Sequence, residues 1–357
     1  MDYKKNNVWL KFKDKNFFVF IFASLVLAFL VSPYPHIAMW VGFIFAAYSA
    51  VANDSIQTLG TFLASNRNKP WWLMWFYIGG VFFLTVLYSW LKYNGDVTHD
   101  RLSAKGFEIA PSDFAFLQIA APIFLILITR LKMPVSTTFL LLSSFSTKSK
   151  GIIAVLTKSL SGYFIAFLIS IFIWGTLGKW MQNKFTGKAH PLWKVFQWFI
   201  TGLLWSVWIM QDAANIAVYL PRKLSAFEFL VFCIVIIIGL GVLFKMGGEK
   251  IQEIVDEKSN VVDVRAATII DFIYVIILYI FKIVSNVPMS TTWVFLGLLG
   301  GREIALSIQR INDNNWTLKR TLLKVGKDVS FALIGLVISL VIAVSVNPIV
   351  RSEILGF

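Results

Sequence analysis

The sequence is a succession of long apolar runs joined by short charged connectors, and that alternation decides what the chain can fold into. Apolar stretches occupy residues 16–32, 37–64, 71–91, 110–130, 134–147, 151–178, 195–220, 226–246, 264–284, 288–306 and 329–348, eleven candidate membrane segments. A helix needs about 20 apolar residues to cross a bilayer, so the pattern reads as repeated spans rather than a single anchor. Of the 357 residues, 57% are hydrophobic and only 15% charged. A soluble chain of this length would need far more polar surface to cover its core. The expected fold class is therefore an all-α polytopic membrane protein whose surface largely faces lipid.

The formal net charge is +14. On a globular domain that excess would point to nucleic acid, but here the basic residues are spread through the connectors. They act as a topology signal, and no nucleic-acid partner is expected. A cytoplasmic N-terminus places Arg67 and Lys69, Arg130 and Lys132, Lys184 and Lys188, and the stretch from Lys319 to Lys327 inside. Lys148, Lys150, Arg222, Lys223 and Lys282 then fall on or near the other side. The expected location is a bacterial inner or plasma membrane. Residues 1–36 read as a basic N-terminus with an additional transmembrane helix, because no small-residue cleavage pattern follows the first apolar run. Cys233 is the only cysteine, which excludes an intrachain disulfide and a thiol-rich metal site. The run at 134–147 makes about 21 Å of helix against a hydrocarbon core of about 30 Å, so it is read as re-entrant or as half of a broken helix.

Two pairs of internal matches divide the remainder. MPVSTT at 133–138 returns as VPMSTT at 287–292, and Asn53, Asp54 and Gln57 of AVANDSIQTLGT are answered by Gln211, Asp212 and Asn215 of WIMQDAANIAVY. The order of the two features is the same in both halves. Residues 37–178 form a first repeat, 179–194 a connector, and 195–357 a second repeat with the C-terminus. Each repeat holds five segments. If all five cross, the second repeat enters the membrane from the opposite side, an inverted repeat of the kind secondary transporters use.

The chemistry lies in these matched motifs. A carboxylate such as Asp54 or Asp212 is costly in hydrocarbon unless a cation, proton or donor accompanies it. Asn53 and Gln211 bring amides beside the two carboxylates, and Gln57 and Asn215 share their helical faces three residues on. Such a set can coordinate a cation or orient an anion, and it can also serve as an interhelical polar clamp. Pro134 and Pro288 fit a helix start or break, followed by Ser136, Thr137 and Thr138 or by Ser290, Thr291 and Thr292. Free amides and hydroxyls at a helix N-terminus make an anion site, although ordinary capping uses the same residues. Asp271, Lys158 and Glu303 are weaker candidates, each equally compatible with helix pairing. His36, His99 and His190 lie outside the constellations. No phosphate loop, hydrolase elbow, CxxC or HExxH motif is present, so no enzymatic activity is expected.

ANDSIQTLGT, QDAANIA, MPVSTT and VPMSTT together resemble a divergent member of the inorganic phosphate transporter family, PiT, over roughly residues 40–306. The frame Asn53, Asp54, Gly60 and Thr61 matches the first signature, with Gln57 where asparagine is usual. Asp212 and Asn215 match the second, with Gln211 in place of asparagine. Phe139 and Trp293 replace the histidine that usually follows each STT. The resemblance implies a dimer that carries inorganic phosphate with sodium ions or protons and needs no cofactor. It places sodium at Asn53, Asp54, Gln211 and Asp212. It places phosphate at Ser136, Thr137, Thr138, Ser290, Thr291, Thr292, Gln57 and Asn215. Another oxyanion, a metal-phosphate complex, or a non-transporting scaffold or receptor are the alternatives.

Overall fold

The computed structural model describes residues 15–66, 68–104, 106–130, 136–247, 263–309 and 318–355. The elements among them are helical: α1 (Lys15–Val31), α2 (Pro35–Thr58), α3 (Gly60–Ser65), α4 (Trp71–Lys92), α5 (Phe116–Arg130), α6 (Thr137–Leu140), α7 (Ser149–Lys184), α8 (Leu192–Ala217), α9 (Ala226–Val242), α10 (Val264–Val284), α11 (Thr291–Ile308), α12 (Leu318–Val346) and α13 (Pro348–Leu355). No strand occurs among the described residues. A 3-10 turn at Leu142–Phe145 follows α6, and a π turn at Leu243–Gly247 ends α9. Local signals set several of these starts. Ser225 and Glu228 form a reciprocal capping box at α9, and Asp263 caps α10 by accepting from the Arg265 N–H at 2.8 Å.

Large apolar side chains point outward while polar ones are buried. Phe22 is 70% exposed and Phe172 71%, whereas Asp54 and Asn215 are fully buried. That inversion fits a lipid-facing surface around a polar interior. Six helices are long and apolar enough to cross a membrane, within Pro35–Asp54, Trp71–Lys92, Ser149–Met181, Ala226–Lys245, Val264–Val284 and Leu318–Val346. The eleven expected segments are reduced for identifiable reasons. Helices α1 and α5 are short, at 17 and 15 residues. Helix α8 carries buried Gln197, Thr201, Gln211, Asp212 and Asn215, and α11 carries Arg302 and Glu303.

The segment expected at 134–147 turns back rather than crossing. Its residues 134 and 135 lie outside the described ones. From Ser136 it runs through α6 and the 3-10 turn, and it ends beside the start of α5, where Gln118 Nε2 donates to the Ser144 carbonyl at 2.9 Å. The Thr147 N–H then donates to the Gly106 carbonyl at 2.8 Å in the α4–α5 connection.

Several helices early in the chain lie antiparallel against helices later in the chain. The start of α2 meets the end of α8 where Gly42 packs on the Tyr219 ring, and Asn66 beyond α3 donates to Gln197 Oε1 at 3.1 Å near the α8 start. Early on α4, Trp75 donates to the Ile237 carbonyl of α9 at 2.9 Å, while Trp90 at the end of α4 stacks on Phe229 at the start of α9. Ile152 at the start of α7 packs with Ala343 near the end of α12.

Helix α11 runs alongside α7 at a separation only glycine permits. A Cβ on Gly297 would be driven into the Tyr163 carbonyl and one on Gly301 into the Phe167 carbonyl. Ser170 Oγ donates to the Leu298 carbonyl at 2.6 Å across the same seam. Gly297→Val is therefore expected to destabilise the protein by about 1–3 kcal/mol, seen as a lower thermal midpoint in detergent. Gly79→Ala, with nothing within 4 Å of the new Cβ, should leave the midpoint unchanged.

Candidate functional site

Asp54 lies near the C-terminal end of α2 and Asp212 near that of α8. The antiparallel register, with Gly42 against Tyr219 and Asn66 beyond α3 against Gln197, brings the two carboxylates into one buried layer, where the charge of Asp212 acts on Asp54. Asn53 Nδ2 donates to Asp54 Oδ1 at 2.7 Å, and Thr129 of α5 donates to Asn53 Oδ1 at 3.0 Å. Asn215 Nδ2 donates to Asp212 Oδ1 at 2.5 Å, the i, i+3 contact expected on one helical face.

The first STT segment joins the two motifs. Thr137 Oγ1 donates to Asp54 Oδ2 at 3.2 Å. Thr138 Oγ1 is shared between Asp212 Oδ1 at 3.4 Å and the Met289 carbonyl at 3.2 Å. Asn215 Nδ2 reaches both threonine hydroxyls, at 3.2 and 3.1 Å. Neighbouring residues of one hairpin tip thus contact the acid of each repeat.

Ser136 and Ser290 are both N-caps, their hydroxyls accepting from the Phe139 N–H at 3.2 Å and the Trp293 N–H at 3.3 Å. The two tips are supported unequally. Helix α6 is a single turn of four residues, whereas α11 has 18, so the larger dipole belongs to the second tip. Ser159 of α7 accepts from the Ser290 N–H at 2.8 Å, and Tyr274 of α10 donates to the Thr291 carbonyl at 2.9 Å. Phe139 and Trp293, one position beyond each STT, meet edge to face at 5.9 Å.

Gln211 Oε1 and Asn215 Oδ1 are buried without a hydrogen-bond partner, and the buried Thr291 hydroxyl faces the Asp212 carboxylate. Hard oxygen donors of this kind suit an alkali or alkaline-earth cation rather than a soft transition metal. Among the described residues no three His, Cys, Asp or Glu side chains converge as a metal cluster. Gln211 Nε2 is anchored on the Leu278 carbonyl at 2.9 Å. Thr292 is buried in the first turn of α11. The Gln57 side chain and Pro134 lie outside what the structure describes.

The secondary candidates separate. Asp271 sits apart from the central layer, accepting from Thr61 Oγ1 at 3.1 and 3.0 Å and from Thr201 Oγ1 at 3.4 Å. Thr201 precedes Asp212 by eleven residues, roughly 16 Å along a helix. Glu303 forms an ion pair with Arg302 at 2.6 Å. Lys158 turns toward the hairpin, donating to the Ser285 and Val287 carbonyls at 2.9 and 2.5 Å. Thr129, Ser159, Thr201 and Tyr274 escape a reading of the sequence. They stand alone in apolar runs, outside the repeated motifs.

No protein-family model matches the chain, and no curated protein matches its sequence. The solved structure of a sodium-dependent phosphate transporter aligns over 90% of this chain and 99% of its own, at 18% identity with a TM-score of 0.58. This chain shares that structure's fold. The likeness runs over nearly the whole length of both chains.

His99 flanks the site in the α4–α5 connection. Burial, and then the Lys282 ammonium, push its imidazole down from 6.5 to about 4. The unfolded chain takes up a proton on this residue below about pH 6.5 while the folded chain refuses it until about 4. Stability present above pH 6.5 is therefore lost as pH falls toward 4. Asn tolerates the positive φ of 54° at this position. The thermal midpoint of the wild type should consequently fall more between pH 7 and pH 4.5 than that of His99→Asn, and equal falls would contradict the assignment.

Proposed function

We propose that this protein is a secondary transporter of inorganic phosphate, driven by sodium ions or protons and working by alternating access. The observation that carries the reading is the convergence of both STT tips and both buried aspartates in a single layer. Thr137, Thr138 and Thr291, with the amides at the start of α11, offer donors to a tetrahedral oxyanion. Asn215 joins them from α8. Gln57, Ser136, Ser290 and Thr292 complete the proposed phosphate residues, the serines acting by holding the tips in shape.

Charge explains why cations must accompany the anion. Two like charges about 5 Å apart repel by roughly 3 kcal/mol at an effective dielectric of about 20, and phosphate would meet two carboxylates. Sodium or protons at Asp54 and Asp212 remove that repulsion. Asn53 supports the first of these positions, and Gln211, Asn215 and Thr291 supply oxygens at the second.

The antiparallel contacts of α2 with α8, α4 with α9 and α7 with α12 support an inverted repeat of two five-segment halves. In that arrangement rocking one half against the other opens the layer to either side in turn. The fold shared with a sodium-dependent phosphate transporter agrees with the same substrate and the same ion.

Reconstituted into vesicles, the protein should take up labelled phosphate saturably under an imposed sodium or proton gradient, tested separately. Asp54→Asn and Asp212→Asn keep the side-chain shape and should each lower gradient-driven uptake at least about tenfold, the equivalent of 1.4 kcal/mol. Uptake equal to that of empty vesicles by the folded wild type would exclude the proposal.

A further inference from the structure

Three basic side chains converge immediately outside the central layer. Arg101, from the α4–α5 connection, is fully buried. Its Nε donates to the Met210 carbonyl at 3.1 Å, and Nη1 donates to the Ser285 carbonyl at 2.6 Å and the Val287 carbonyl at 3.4 Å. Lys158 of α7 donates to those same two carbonyls. Lys282 of α10 donates to the His99 carbonyl at 3.0 Å, and the charges of Arg101 and Lys282 both act on Lys158.

The anchoring atoms fix where this cluster lies. Met210 precedes Gln211 and Asp212, and Val287 precedes the second Pro-x-STT. The cluster therefore borders both motifs of the second repeat at once.

Its charge is not explained by its structural partners. The C-terminal end of α10 carries about half a negative charge, whereas three cations gather around it. Among the described residues the ion pairs are Arg265 with Asp263 and Arg302 with Glu303, so none of the three cations has a carboxylate within pairing distance. Asp212 and Asp100 act on Arg101, and Asp100 and Asp96 on Lys282, through space rather than by ion-pair contact, and Asp100 accepts from Asn286 Nδ2 at 2.9 Å. Arg101 Nη2 is buried with no hydrogen-bond partner. An unpaired guanidinium donor beside two ammonium groups matches an oxyanion.

We propose that Arg101, Lys158 and Lys282 form a waiting site for a free tetrahedral oxyanion, one layer outside the STT tips. The site concentrates the anion electrostatically and passes it to donors that lack formal charge. The ligand class rests on the phosphate-transport reading, but the site is testable without flux.

Lys158 and Lys282 are half-buried, whereas Lys179 at the far end of α7 is exposed, which suits a protection experiment. The full chain in detergent is treated with an amine-acylating reagent, and modification is followed at each lysine by peptide mass spectrometry. Inorganic phosphate at about four times its dissociation constant should slow acylation of Lys158 and Lys282 about fivefold. Chloride at equal ionic strength should not slow it, and Lys179 should respond to neither.

Equal rates in phosphate and chloride would overturn the proposal. So would protection by phosphatidylglycerol nanodiscs but not by inorganic phosphate, which would assign the cluster to lipid headgroups. In uptake assays Lys282→Gln, whose amide preserves the bond to His99, should raise KM for phosphate and flatten its salt dependence while leaving kcat unchanged. An unchanged KM would count against the waiting site. Wild-type uptake without lysine protection would reject the waiting site alone, whereas protection without uptake would reject the transport reading alone.

Discussion

Two carboxylates lie side by side out of water, and the surrounding structure answers that burden. Asp54 and Asp212 come together because α2 and α8 cross in opposite directions with their motifs near the crossing. Their nearest partners are neutral, the amides of Asn53 and Asn215 and the hydroxyls of Thr137 and Thr138. Neutral donors lower the cost of burying an acid without cancelling its charge. The layer keeps a demand for cations, and in the proposed mechanism that demand couples an anion to whatever cation satisfies the acids.

The two hairpin tips around this layer are built to different standards. The second belongs to a long helix clamped onto α7 through Gly297 and Gly301 and tied by Ser159 and Tyr274. The first is a single α turn followed by a 3-10 turn, held chiefly through the polar layer itself. Short 3-10 pieces have poorer hydrogen-bond geometry than α-helix, so the first tip is the more easily rearranged. The proposed alternating-access cycle needs an element with two arrangements, and this asymmetry makes the first tip the candidate for it.

Much of this was legible in the sequence because membrane burial makes polar residues conspicuous. Asp54 and Asp212 stand out in apolar runs, and the duplicated STT and acid–amide motifs select a common site before any coordinates. The short length of 134–147 left open a span or a re-entrant path, and from Ser136 onward the segment runs back to the start of α5. Other features rest on contacts between segments far apart in the chain. Thr129 meets Asn53 across 76 residues and Arg101 reaches Ser285 across 184, with no periodicity or repeat to advertise either pair. Among the described residues six of the eleven apolar runs form helices long and apolar enough to span, while helices such as α8 and α11 carry buried polar residues that lower their apolar content. The pairing of Glu303 with Arg302 likewise appears only in the structure.

If the buried acids make anion binding conditional on cations, phosphate affinity must depend on the coupling ion in solution, without any membrane or gradient. Calorimetric titration of phosphate into the detergent-solubilised protein, with sodium or proton activity varied at fixed ionic strength, measures that linkage directly. The account predicts that phosphate binds at least about tenfold more tightly when the coupling ion saturates, a coupling free energy of about 1.4 kcal/mol. A phosphate affinity that stays the same across both titrations would contradict it.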